Sequence, residues 1–210
     1  MKKGLGVFWA CGIAAVGWGA EVRFDFESGT LLGWQVLEGA FGNVVSDRAK
    51  EHHSGAPYTK DGTYFLSTLE SADGQQPDDS FQGVIESPVV VLGAPEITLL
   101  VGGGAGENVY VALCALDGKE VAYARGGNGQ KMLERRWSVP ELVGKPVFFR
   151  VADHAVGGWG HITMDRLICQ GTIDQAATDK RFRERTREIA GVNGGITANH
   201  LGAAIEELGK

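Results

Sequence analysis

The sequence predicts an all-β protein, an antiparallel β-sandwich followed by a short helical tail. Three observations predict it. About ten apolar or alternating segments succeed one another at short, regular spacing. Glycine is the compositional outlier, 32 of 210 residues, and supplies the turns between those segments. No stretch of helical periodicity intervenes before residue 178, so the strands have no crossover helices and pair antiparallel. The organising stretch is 151–169, VADHAVGGWGHITMDRLIC, which reads as strand, glycine-rich turn, strand. Gly157, Gly158 and Gly160 surround Trp159, so a bulky indole sits on a sharp corner just before His161. From His161 to Met164 polar and apolar residues alternate, the pattern of a strand with one buried face.

The length suits one domain with appendages. A 43% hydrophobic, 22% charged composition is enough to bury a core. A net charge of −6 and a pI near 5.4 argue against a phosphate-tracking surface, and so against nucleic acid as a partner. Residues 1–20 read as a signal peptide: Lys2 and Lys3 precede an apolar run over 4–16 that is too short for a membrane span. The expected location is therefore secreted, periplasmic or cell-envelope, with no transmembrane span after cleavage. Cys11 leaves with the leader. Cys114 and Cys169 remain, as a disulfide or as two buried thiols on strand faces.

The sandwich is expected over 21–171 and the tail over 172–210. EVRFDF alternates Val22, Phe24 and Phe26 against Arg23 and Asp25, and Ser28-Gly29 stops it. A second strand resumes at Gly33. Residues 39–61 are polar and irregular; their His52-His53 pair points to opposite faces and reads as a solvated loop. Strands follow at 64–69, 82–86, 89–92 and 96–101, with Gly102 to Gly106 as a bulge or wide turn. Residues 109–116 and 120–124 make a hairpin about Asp117-Gly118. Residues 132–139 and 146–152 add two more strands, with Trp34 and Trp137 read as core. In the tail, Thr178-Asp179 caps a helix to about Ala190, Gly191 to Gly195 breaks it, and Thr197 opens a second one that carries Leu201, Ala204, Ile205 and Leu208 at helical spacing. Residues 178–208 are the candidate contact for a protein partner.

Seven motifs in one order carry a resemblance: FDFESGTLLGWQV with GAFG, GTYFLSTLE, ITLLVGGG, VALCALDGKEVAYARG, NGQKMLERRWSV and VADHAVGGWGHITMD. In this order and spacing the chain resembles the β-fructan-binding modules attached to levanases of glycoside hydrolase family 32, carbohydrate-binding module family 66. The resemblance implies a jelly-roll sandwich that binds a terminal sugar unit of a fructan-like polysaccharide or oligosaccharide and performs no chemistry. The chain departs from the family where Asn128-Gly129-Gln130 replaces Asn-Ser-Glu and where Ser138 replaces an aspartate. Gln130 keeps hydrogen bonding at that position but loses charge.

A sugar offers an apolar CH face for an aromatic and a rim of hydroxyls for paired donors and acceptors. Asp153, Trp159 and His161 on the organising stretch supply such groups, Glu70, Arg125 and Gln130 are further candidates, and each has a plain structural alternative. Jelly-roll modules of this kind carry structural calcium, and Asp25, Glu27 and Asp165 are the carboxylates that suit it if the first and last strands pair. A glycosidase needs two carboxyls about 5–10 Å apart; no local pattern pairs any here, and no nucleophile-elbow or zinc-protease motif occurs, so the chain reads as non-catalytic. The competing reading is a structural or assembly module of a cell-envelope complex that contacts partners through its helical tail.

Overall fold

A computed structural model describes the backbone of residues 19–208 and the side chains of 19–191. The leader read over 1–20, apart from its last two residues, and Cys11 lie outside the described residues. Eleven strands follow in order: β1 (Ala20–Phe24), β2 (Gln35–Ala40), β3 (Val45–Ser46), β4 (Phe65–Ser67), β5 (Gln82–Glu86), β6 (Val90–Gly103), β7 (Val109–Ala115), β8 (Glu120–Ala124), β9 (Gly129–Ser138), β10 (Pro146–Asp153) and β11 (Ile162–Ile173). One helix, α1 (Gln175–Leu208), closes the chain.

The ladder is antiparallel throughout and curls into two facing layers. One runs β2-β5-β10-β7-β8, the other β9-β6-β11-β4-β3, and β1 pairs with the far half of β11. Strand β10 is the centre of the first layer, with Arg150 opposite Glu86 on one side and Ala112 on the other. The layers join where Pro146 and Val147 meet Val91 and Val90. Between them Trp34 and Trp137 stack on opposite sides of the core with Phe149, each with ring centroids 6.5 Å away, and Phe24 meets Trp34 edge-on at 5.4 Å. Both tryptophans are buried as expected, Trp137 within β9 and Trp34 just before β2 rather than inside it.

Each layer also has a covered outer face. On the second layer, Tyr58 from the 44–60 loop packs with Phe65, Leu100 and Met132, its ring 4.8 Å from that of Phe65. Ile162 and Met164 face the main core, and His161 and Thr163 are buried as well, so the stretch expected to have one wet face has none. On the first layer, α1 covers Phe148, Cys114 and Ala112. Arg181 lies 3.5 Å over the Phe148 ring and grips the fully buried Glu86, which also pairs with Arg150. Cys114 and Cys169 are both free and buried, one beneath the helix and the other in the main core, and burial pushes each thiol up to about 12.

Two segments differ from the sequence expectation. The strands expected at 89–92 and 96–101 are a single β6, because Pro95 falls in a register irregularity where its missing N–H breaks no ladder bond. The tail is one helix from Gln175 to Leu208, where a break at Gly191 to Gly195 and a new start at Thr197 were expected. Glycine costs a helix about 1 kcal/mol but leaves its hydrogen bonds in place, so it weakens without ending it. The helix is capped by Asp174, whose Oδ1 accepts from the Ala177 amide at 2.9 Å. Thr178 instead serves the packing: its hydroxyl accepts from the Val89 amide at 2.8 Å and donates to the Asp174 carbonyl. Strand β11 also runs past Gly171, pairing Thr172 and Ile173 with Val91 and Val90.

Candidate functional site

At one end of the sandwich three loops enclose a cleft of about 360 Å³, near the low end of small-ligand sites. The turn between β10 and β11 supplies Gly158, Trp159 and His161. The 44–60 loop supplies Glu51, His53 and Ser54. Leu69, Pro77 and Asp79 come from the segment before β5, and Gln130 from β9.

The turn is built to present the indole. Gly157 adopts φ 84° and Trp159 itself φ 66°, a left-handed conformation that costs a non-glycine residue about 1–2 kcal/mol. The carbonyl of Trp159 lies where a Cβ on Gly104 would come within 2.2 Å, so only glycine lets β6 approach the turn. The Gly157 amide donates to the Asp79 carbonyl at 3.1 Å, which ties turn and loop together. Trp159 is left 38% exposed, with its ring 5.8 Å from His161. The same left-handed conformation occurs at Phe26, which is fully buried in the core, so what sets Trp159 apart is its exposure over the cleft.

His161 is almost fully buried. Its Nδ1 lies 2.6 Å from Asp79 Oδ1 and its Nε2 3.3 Å from Gln130 Oε1. Glu51 accepts from the His53 amide at 2.9 Å and from the Ser54 amide and hydroxyl at 2.5 and 2.6 Å. Burial pushes this carboxyl up, but those hydrogen bonds outweigh it and hold the group at about 2. Lining carboxylates are present and neither lysine nor arginine lines the cleft.

Of the six expected sugar contacts, Trp159, His161 and Gln130 line the cleft together. Asp153 stands behind it, fully buried. It accepts from the Thr68 hydroxyl at 2.6 Å, and Thr68 in turn accepts from the Ile162 amide, so this carboxylate braces the strands that carry the turn. Burial pushes it up to about 6. Glu70 is not a lining residue. Its buried carboxylate meets His52 Nε2 at 2.6 Å and Arg48 Nε at 3.5 Å and anchors the 44–60 loop. Arg125 lies elsewhere, against Tyr110 and Tyr123.

Glu51, His53, Ser54 and Asp79 are functional candidates that the sequence reading passed over. The His52-His53 loop, read as solvated, instead divides its pair: His52 is tied to Glu70 and His53 faces the cleft. The only local signal was Glu51 three residues before Ser54, the spacing of a self-capping turn.

The three carboxylates expected for calcium are engaged with backbone amides. Glu27 accepts from Thr63 and Tyr64, Asp25 from Glu27, and Asp165 from Asp61 and Arg166. Among the described residues no group of three or more His, Cys, Asp or Glu side chains is set to hold a metal ion. Burial, with the charges of Asp61 and Glu27 nearby, pushes Asp165 up to about 7.

Fold and site together define a mostly β, two-layered domain with a polar-rimmed cleft at one end, walled on one side by Trp159. No family model matches the chain. It is 31% identical over 94 residues to a curated protein of Aspergillus rugulosus named "Putative glycosyl hydrolase ecdE", a stretch covering 45% of this chain and 13% of that protein. Among solved structures it is similar to the K2 cleaved adhesin domain of Lys-gingipain, with 16% identity, a TM-score of 0.47, and 73% of this chain and 100% of that one covered. It is also similar to TmCBM61 in complex with β-1,4-galactotriose (17%, TM-score 0.44, 71% and 94% covered). A third is CBM27-1 of Caldicellulosiruptor saccharolyticus in complex with mannohexaose (14%, TM-score 0.39, 71% and 96% covered). Likeness of that order assigns neither ligand nor activity to this chain.

Proposed function

We propose that the chain is a non-catalytic carbohydrate-binding module whose cleft takes a terminal sugar unit of a fructan-like polysaccharide. The observation that carries this reading is Trp159, strained into a left-handed conformation and left half-exposed beside Asp79, Gln130, His161 and the Glu51 loop. An indole supplies the face for sugar CH groups and the rim supplies donors and acceptors for hydroxyls. The motif resemblance to levanase-attached modules supports fructan as the sugar, and the similarity over 94 residues to a protein named as a glycosyl hydrolase accords with a module that accompanies such enzymes. Hydrolysis is disfavoured by the carboxyls themselves. A glycosidase keeps one of its pair protonated near its working pH, whereas of the two lining carboxyls Glu51 is held near 2 and Asp79 is tied to His161 at 2.6 Å, and Asp153, pushed up to about 6, is sealed from the cleft. The basic pair and apolar run over residues 2–16, the pattern of a leader, support export. The assembly reading draws less support, because the first turns of α1 are engaged by the chain's own sheet.

A glycan array followed by calorimetry on levan and inulin oligosaccharides tests the proposal. Binding to a fructan that disappears in Trp159→Ala is the expected result. A wild-type protein that binds no glycan on the array overturns it.

A further inference from the structure

The Arg125 guanidinium, outside the cleft, has a setting of its own on the outer face of the first layer. Tyr123 on β8 lies opposite Ala112 on β7, and Ala112 and Tyr110 belong to the outer cluster, which places both tyrosines on that face. Their rings meet edge-on at 5.3 Å, and the Arg125 Cζ sits 5.8 Å from one centroid and 5.6 Å from the other. Tyr123 is 47% exposed.

The charges around this platform do not balance. Glu120, Arg150, Glu86 and Arg181 form a chain of three ion pairs, each 2.7 Å long, two anions against two cations. Arg125 stands outside that chain. No carboxylate among the described residues pairs with it, and its Nε is enclosed without a partner. Arg135 approaches from β9 and donates to the Arg125 carbonyl at 3.2 Å, and it too has no carboxylate partner among the described residues. An uncompensated guanidinium therefore lies against an exposed aromatic ring.

We propose that Tyr123 and Arg125 form a second binding site, selective for a carboxylated sugar such as a uronic acid unit. A guanidinium fork matches a carboxylate in a bidentate geometry, and stacking on the tyrosines holds that fork in place before any ligand arrives. The exposed Tyr123 ring offers a flat apolar face to a pyranose. An acidic peptide would satisfy the cation but has no ring to lay on that face. The cleft suits the opposite charge class, since Glu51 and Asp79 would repel a uronate there. The two sites thus divide neutral from acidic sugars, and this second site stands on its own residues whether or not the cleft binds fructan.

The test is calorimetry on the full chain with trigalacturonate, against uncharged galactotriose as control. Trigalacturonate should bind, and weaken at least about tenfold between ~0.01 M and ~1 M salt as the screening length falls from ~30 to ~3 Å. Arg125→Ala and Tyr123→Ser should each lose about tenfold or more in affinity with unchanged melting temperature, and Arg125→Lys, which keeps charge without the fork, should fall between. Trp159→Ala should bind trigalacturonate as the wild type does. Failure of trigalacturonate to bind, binding that survives Arg125→Ala, or binding that vanishes in Trp159→Ala overturns the proposal. A triglutamate peptide binding as tightly as trigalacturonate also overturns it, by showing a surface for acidic chains of any kind.

Discussion

Replacing Trp159 by glycine separates the two roles an indole can play at this corner. The residue sits at φ 66°, where any side chain costs about 1–2 kcal/mol and glycine costs none. Glycine loses about 0.5–1 kcal/mol in unfolded-chain entropy relative to alanine, so Trp159→Gly should be as stable as Trp159→Ala or up to about 1.5 kcal/mol more so. Both variants delete the aromatic wall, and a half-exposed indole leaves little cavity behind. The affinity loss should be about 1–3 kcal/mol, roughly 5- to 150-fold, and equal in the two. Thermal melts and calorimetry on the same preparations read both quantities. If instead both variants lose about 3–5 kcal/mol of stability, the magnitude for emptying a core position, and Trp159→Gly is the worse, then the indole is a plug and the argument from exposure to site fails.

Cutting the chain after Gly171 should abolish cooperative unfolding, because it removes the Thr172 and Ile173 pairs and the Arg181 partner of Glu86 and bares Phe148. Arg181→Met should cost up to about 3 kcal/mol in denaturant unfolding, at the low end for breaking a buried pair because Arg150 still holds Glu86; pairing it with Glu86→Gln should recover much of the loss. Asp153 and Asp165 are raised by burial to about 6 and about 7, so the folded state binds protons that the unfolded chain has already released. Their contribution falls as pH rises from about 4 toward 6 and 7, whereas that of Glu51, lowered to about 2, is present above its ordinary value of 4.5 and is lost as pH falls through 2. Chemical unfolding across pH should therefore show stability declining between about pH 5 and 7, and Asp153→Asn should flatten that decline; a wild-type curve that rises over the same interval would refute the assignment.

What could be read from the sequence was what chain neighbours decide. Val109 to Ala124 alternates about an Asp-Gly turn, and the hairpin is there, with Gly118 at φ 89°. Trp159 stood out because three glycines beside an indole have no local structural purpose, and it does open onto the cleft. The misreadings have a common physical origin in contacts distant along the chain. His161 to Met164 looked half-exposed because nothing in an irregular loop announces that its Tyr58 carbonyl will accept from the Met132 amide, 74 residues on, and lay a second cover over the sheet. Glu70 looked like a ligand group because a carboxylate at a strand end carries no mark of the His52 and Arg48 that neutralise it. Arg125 had the converse problem: its residue type fitted a sugar site, but the curl of the sheet carries it onto the outer face of the first layer, beside two tyrosines. A residue's chemistry was therefore legible where its place was not. The Glu51 loop was invisible on both counts, since its carboxylate, its amides and its serine satisfy one another within four residues, and contacts distant along the chain, the ion pairs of Glu70 among them, bring that closed unit to the cleft.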